Sequence, residues 1–179
     1  MKGLIDNMNI MYRAKDFYMM EVKDVKGKRL GFIKDIDINF HEECIVGFII
    51  SSYNIFQKEV KVLIEDIIIF NDIMVVKKIS HKKSLELNSI KGMDVIDKNN
   101  NILGMVEEIV FEAIDFKIQG FIISSGIVKD FISGKRILLP KNLILGEKSI
   151  LCVYEDKKIE FFSRPHKIIV EDDKHEEIL

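Results

Sequence analysis

Gly47-Phe48-Ile49-Ile50-Ser51-Ser52 recurs residue for residue as Gly120-Phe121-Ile122-Ile123-Ser124-Ser125, 73 positions further on. The same offset lays Met20–Ser52 on Met93–Ser125 without a gap, and 13 of those 33 pairs are identical. Outside the six-residue block the identities are Met20/Met93, Val22/Val95, Asp24/Asp97, Leu30/Leu103, Gly31/Gly104, Ile36/Ile109 and Ile45/Ile118. Small length changes then carry Val62-Leu63-Ile64 onto Ile137-Leu138-Leu139 and Ile73–Val76 onto Ile150–Val153. Self-similarity at a fixed period marks a duplicated structural unit.

Composition says what kind of unit it is. There are 32 isoleucines and only two alanines, Ala14 and Ala113, in 179 residues. β-branched enrichment with almost no alanine favours strands over helices. Each copy reads alike. A short helical cap (Ala14–Phe17, Leu87–Ile90) leads into a strand, Met20–Lys23 or Met93–Ile96. A turn beginning at Asp24 or Asp97 follows, with Gly27 or Asn100 free to take positive φ. A long strand starts at Leu30-Gly31 or Leu103-Gly104, where the glycine predicts a bulge. In the first copy Ile36, Ile38 and Phe40 alternate with Asp37 and Asn39, which predicts one buried face. A third strand covers Ile45–Ser51 and Ile118–Ser124, and two short strands close each unit. Between Gly126 and Gly134, Ile127–Ile132 predicts one or two helical turns with an apolar side. So many short strands in so few residues predict a small barrel.

The organisation expected is a lead over 1–11, a first barrel over 12–77, a basic linker over 78–84, a second barrel over 85–158 and an acidic tail over 159–179. The joint Lys77–Lys83 reads as a solvated connector, and Glu171–Leu179 as a frayed end.

Charge narrows the function classes. Lys and Arg number 27 against 29 Asp and Glu. The segment from Arg164 onward holds three basic and five acidic residues, so the body before it is neutral. Neutrality leans away from a protein that grips phosphate backbones. No apolar run reaches the length that spans a bilayer, and no membrane insertion is expected. Cys44 and Cys152, far apart, suit a reducing cytoplasm.

No constellation of catalytic type stands out. His41-Glu42-Glu43-Cys44 is the densest set of ligand types, but it falls in a turn, and the other copy has Ile114-Asp115-Phe116-Lys117 there. It reads as a polar turn with a half-buried thiol. Gly126 to Gly134-Lys135-Arg136 has the wrong spacing for a phosphate loop. Ser51-Ser52 and Ser124-Ser125 lack a nucleophile elbow, and read as strand ends whose hydroxyls bond the next turn. Glu107-Glu108 on a strand face opposite ways. Tyr18, Met19 and Met20 precede a strand without strict alternation and read as core, with an adhesive surface patch as the alternative.

The pattern Asp-x-x-Gly/Asn-x-x-Leu-Gly, then Gly-Phe-Ile-Ile, then Arg136-Ile-Leu-Leu-Pro140-x-Asn-Leu-Ile-Leu-Gly146 resembles the PRC-barrel family. The second copy is the closer match, through Leu103-Gly104, Gly120-Phe121, Leu139-Pro140 and Gly146; the first has Glu65 where the family often carries proline. The resemblance implies a mostly-β chain of two tandem PRC-type barrels with short helical turns. It further implies a non-catalytic adaptor or assembly module, with no cofactor and no metal, that contacts a protein partner. A pseudo-two-fold packing of the two barrels is expected, and a homodimer fits the commonest symmetry. The alternative, by analogy with the family's ribosome-maturation class, is a ribosome- or RNA-associated factor using Lys77, Lys78, Lys82, Lys83, Lys135 and Arg136.

Overall fold

Asp24 and Asp97 organise the two hairpins in the same way. Asp24 Oδ1 accepts from the backbone N–H of Lys26 and Lys28 at 2.8 and 2.9 Å, and Asp97 Oδ1 accepts from Asn99 and Asn101, both at 2.8 Å. Three residues after each aspartate the chain takes a left-handed turn, φ 79° at Gly27 and 67° at Asn100. Each turn sends a short strand back along a long one.

The computed structural model describes residues 11–53, 59–80, 84–112 and 114–154. The first unit contributes β1 (Met11–Arg13), β2 (Glu21–Asp24), β3 (Arg29–Asn39), β4 (Cys44–Ser51), β5 (Val60–Leu63), β6 (Ile67–Phe70) and β7 (Ile73–Val76). The second contributes β8 (Leu85–Glu86), β9 (Asp94–Ile96), β10 (Ile102–Glu112), β11 (Ile118–Ser124), β12 (Arg136–Leu138), β13 (Leu143–Leu145) and β14 (Ser149–Cys152). Helix α1 (Leu87–Ile90) sits where the first unit has a 3-10 turn, Ala14–Phe17, and α2 (Ile127–Ser133) follows β11. Each unit is a strongly coiled sheet of the same order, β5-β4-β3-β2-β7-β6 and β12-β11-β10-β9-β14-β13. The fold is mostly β, as two like barrels in tandem. No helix among the described residues is long and apolar enough to cross a membrane.

The units exchange their lead strands. β1 pairs with β10 of the second sheet, Tyr12 opposite Phe111 and Arg13 opposite Val110. β8 pairs with β3 of the first, Leu85 opposite Ile38 and Glu86 opposite Asp37. These pairs interchange under the 73-residue offset, so the two barrels are related by a pseudo-two-fold. Between the barrels, Ile45 N–H donates to Phe116 O at 2.9 Å and Ile118 N–H donates to Glu43 O at 2.8 Å, again an interchanging pair. The buried apolar residues of both units form one continuous core. Six rings knit it: Phe17, Phe48 and Phe111 are buried, and Tyr12, Phe70 and Phe116 pack on them with centroids 4.8 to 6.3 Å apart.

Three expectations change. Phe48 pairs with Val62 and its equivalent Phe121 with Leu138; Val22 pairs with Met74 and its equivalent Val95 with Ile150. The late strands therefore correspond one residue away from the pairing given by sequence similarity: Val62 matches Leu138, and Val76 matches Cys152. Pro140, opening the 3-10 turn Pro140–Asn142, matches Ile64 at the start of Ile64–Asp66 and not Glu65. Register slips of one residue turn every side chain to the opposite face, and the structure aligns the buried sets, Met74 with Ile150 and Val76 with Cys152. Lastly, β3 is buried on both faces, because Asp35 and Asp37 are 1 % exposed alongside Ile36 and Ile38. On the face that alternation assigns to solvent, Lys61 lies against Asp37 and Asn88 of α1 donates its N–H to Asp35.

Candidate functional site

Duplication makes neighbours of the polar groups nearest the pseudo-axis. Tyr18 and Lys91 are equivalent positions, and Lys91 Nζ donates to Tyr18 Oη at 2.9 Å. Lys91 Nζ also lies 3.5 Å from Glu108 Oε1. Glu108 is the equivalent of Asp35, and both sit at β-bulges where the carboxylate accepts the next residue's own N–H, Ile36 at 2.8 Å and Ile109 at 3.0 Å. Asp35 also accepts from Asn88 N–H at 3.1 Å, which ties α1 of the second unit to β3 of the first. Burial pushes the Tyr18 hydroxyl and the Asp35 carboxyl above their ordinary pKa values, against the opposing pull of their hydrogen bonds. Burial works against the Lys91 ammonium, but Tyr18 and Glu108 together outweigh it and hold its pKa above that of an ordinary lysine. The group stays hydrogen-bonded within the fold, with the Tyr18 hydroxyl neutral and the Lys91 ammonium charged. It serves as a polar clasp between the barrels.

A second clasp is asymmetric. Lys61 Nζ lies 2.7 Å from Asp37 Oδ2, with both side chains almost fully buried, and also donates to Ser84 Oγ. Its backbone exchanges two hydrogen bonds with Ser80 at 2.7 and 2.8 Å. Ser80 and Ser84, at either end of the connector, are thus both fixed to one residue. The second unit has Val110 and Ile137 at the positions of Asp37 and Lys61.

The residues singled out by sequence are dispersed. His41, Glu42 and Glu43 form the turn after β3, where Asn39 Oδ1 accepts from the N–H of His41 and Glu42. Cys44 opens β4 opposite Lys117; burial, and next Glu42, raise its thiol pKa. Among the described residues no three His, Cys, Asp or Glu side chains gather as metal ligands. Ser124 Oγ and Ser125 N–H both donate to Asp130, so this strand end does bond the next turn. Glu107 is exposed and Glu108 buried, as adjacent strand positions require. Of the basic set, Lys78 lies 3.7 Å from Asp66 and Lys135 is paired with Glu107; Lys82 and Lys83, like the acidic tail, fall outside the described residues.

What the sequence did not disclose is a cleft of about 800 Å³ where the units meet. Tyr12, Phe17, Met20 and Phe70 of the first unit and Phe116 of the second line it, with Ile64, Ile67 and Ile68 on one wall and Asp16, Asn71 and Asp72 among its polar lining. Phe70 and Phe116 have no aromatic twins: Phe70 pairs with Met74 as Leu145 pairs with Ile150, so its equivalent is Leu145, and that of Phe116 is Glu43. The cleft thus breaks the internal symmetry. Its sequence signal is a set of unmatched aromatic residues, since Tyr12 and Phe17 likewise have Leu85 and Ile90 as equivalents.

Comparison with protein families agrees with this architecture. The PRC-barrel domain model matches twice, over residues 9–83 and 82–159, and the chain belongs to the PRC-barrel family. Comparison with curated proteins gives no match.

Proposed function

We propose that this tandem PRC-barrel is a non-catalytic adaptor that receives a segment of a partner protein in the aromatic cleft. The observation that carries the reading is the cleft's chemistry: aromatic and branched apolar walls, two carboxylates and an amide, and no Lys or Arg among the described residues of the lining. Such a site suits an extended segment with an apolar anchor and adjacent basic residues, because buried apolar area supplies affinity and placed polar groups supply orientation. β6 ends the strand order of its sheet, so among the described residues one of its edges carries no ladder partner. An added strand could use that edge. The clasps on and beside the axis hold the walls in place before anything binds, which lowers the ordering cost of association.

Ile68 and Ile69 separate the cleft from its surroundings. Both are partly exposed, but only Ile68 lines it. A photo-crosslinker at Ile68 in cells should give one defined protein adduct, while the same group at Ile69 should not. Ile68→Lys should abolish co-purification of that partner, and Ile69→Lys should retain it. Equal behaviour of the two positions, or adducts restricted to ribosomal particles, would refute the proposal.

A further inference from the structure

Helix α2 is amphipathic in the inverted sense. Surface helices of globular proteins turn their apolar stripe inward, whereas here Ile127, Val128, Phe131 and Ile132 are 91, 72, 92 and 73 % exposed. At 100° per residue these four fall on one arc, and Lys129 and Asp130 fall opposite. Asp130 is the residue that faces the barrel: its carboxylate accepts from Ser124 Oγ and, at 2.8 Å, from Ser125 N–H. The helix is thus fastened by its only acid and presents its apolar side outward. Gly126 and Gly134 bracket it, with φ of 102° and 74°.

We infer that α2 is a contact for an anionic lipid surface, one that inserts apolar side chains without crossing the bilayer. The size of the patch selects this occupant. Seven residues are far fewer than the roughly 20–30 per side of a stable protein interface, so this patch alone does not make a dimer. A bilayer needs no complementary shape, and interfacial helices bind through buried apolar area plus cationic flanks. Charge agrees: Lys129 is exposed on the helix, and Lys135 and Arg136 follow directly, with Lys135 paired to Glu107. With Asp130 turned in, the exposed arc carries no carboxylate to repel anionic headgroups. The cleft opens by Phe116, before β11 begins, and α2 starts after it ends, roughly 20 Å away along the strand. Lipid contact therefore does not draw on the cleft reading, and either can fail alone.

The protein has no tryptophan, so Phe131→Trp places a single reporter on the arc. Its emission should shift to the blue with vesicles of phosphatidylcholine mixed with phosphatidylglycerol, and much less with phosphatidylcholine alone. In co-sedimentation, Ile127→Ser/Phe131→Ser should lose at least about tenfold in partitioning, with unchanged melting temperature because both side chains lie in solvent. Unshifted emission, or equal partitioning of the double variant, would overturn the inference. So would a concentration-dependent dimer in light scattering that the double variant abolishes, since the arc would then belong to a second copy.

Discussion

Lys91 Nζ donates to Tyr18 Oη at 2.9 Å, and these two residues occupy the same position in the two halves of one chain. On a true two-fold the axial pair would be identical, and Lys facing Lys would repel. Duplication within one chain removes that restriction, so the axis holds a donor and an acceptor. Cys44 opposite Lys117 is a second such pair. The cleft uses the same freedom, with Phe70 and Phe116 where the twins are Leu145 and Glu43.

Loss of the axial pair should be felt by both barrels. Lys91→Met leaves Glu108 without its cation and should cost about 1–3 kcal/mol in urea denaturation, below the loss for a fully buried pair because Lys91 is partly exposed. Tyr18→Phe should cost about 1 kcal/mol, and a double-mutant cycle should return a positive coupling.

The Asp37–Lys61 pair makes a sharper case, because the second unit supplies its apolar counterpart. Lys61→Ile alone strands a buried carboxylate and should destabilise by about 3–5 kcal/mol. Asp37→Val/Lys61→Ile recreates Val110 and Ile137 and should recover most of that loss. Chemical denaturation of the three variants decides it. If the double variant is as unstable as the single, the twin environments are not equivalent.

Two glycines should respond unequally. A Cβ on Gly31 would stand 2.0 Å from Ser51 O, at φ 154°. Gly31→Ala should therefore lower stability by about 2–4 kcal/mol, as backbone must shift. Gly27 has open space around it, and its twin is Asn100 in the same left-handed region. Gly27→Asn should change the melting temperature little.

Two aspartates should titrate in opposite directions from the ordinary value. Burial raises Asp35, so the folded state holds its proton more tightly than the unfolded one. Its contribution to stability is present at acid pH and is lost as pH rises through the folded value. Asp97 is lowered by the Asn101 side chain and the turn N–H groups. Its contribution is present above the unfolded value and is lost as pH falls through the folded one. Carbon-detected NMR titration of the side-chain carboxyls should place Asp35 above Asp97; the reverse order would contradict the buried bulge.

The repeat, its turns and its bulges were legible because they rest on local chemistry: an Asp that bonds the next backbone groups, and glycines at Gly31 and Gly104 that admit a crossing carbonyl. The exchange of β1 and β8 was not legible. These strands are two or three residues long, too short for periodicity, and their twins Tyr12 and Leu85 differ. The slip in the late strands arose because the stretch from Ser125 to Leu138 is three residues longer than that from Ser52 to Val62, and runs of Ile, Leu and Val align equally well one residue out. Burial of Asp37 depends on a lysine from another strand, which no window along β3 contains. The apolar side of α2 was legible as apolar, but not as outward-facing, since that depends on where Asp130 anchors.

Shared strands and one core imply that neither barrel unfolds without the other, and native-state hydrogen exchange tests this most directly. The amides to follow are Ile45 and Ile118, which bond across the axis, with Val22 and Val95 in the core of each sheet. All four should open with the same free energy and the same denaturant dependence. Exchange of the Val22 set through a lower-energy opening that leaves Val95 protected would show two separately folding barrels, and would contradict the single intertwined body described here.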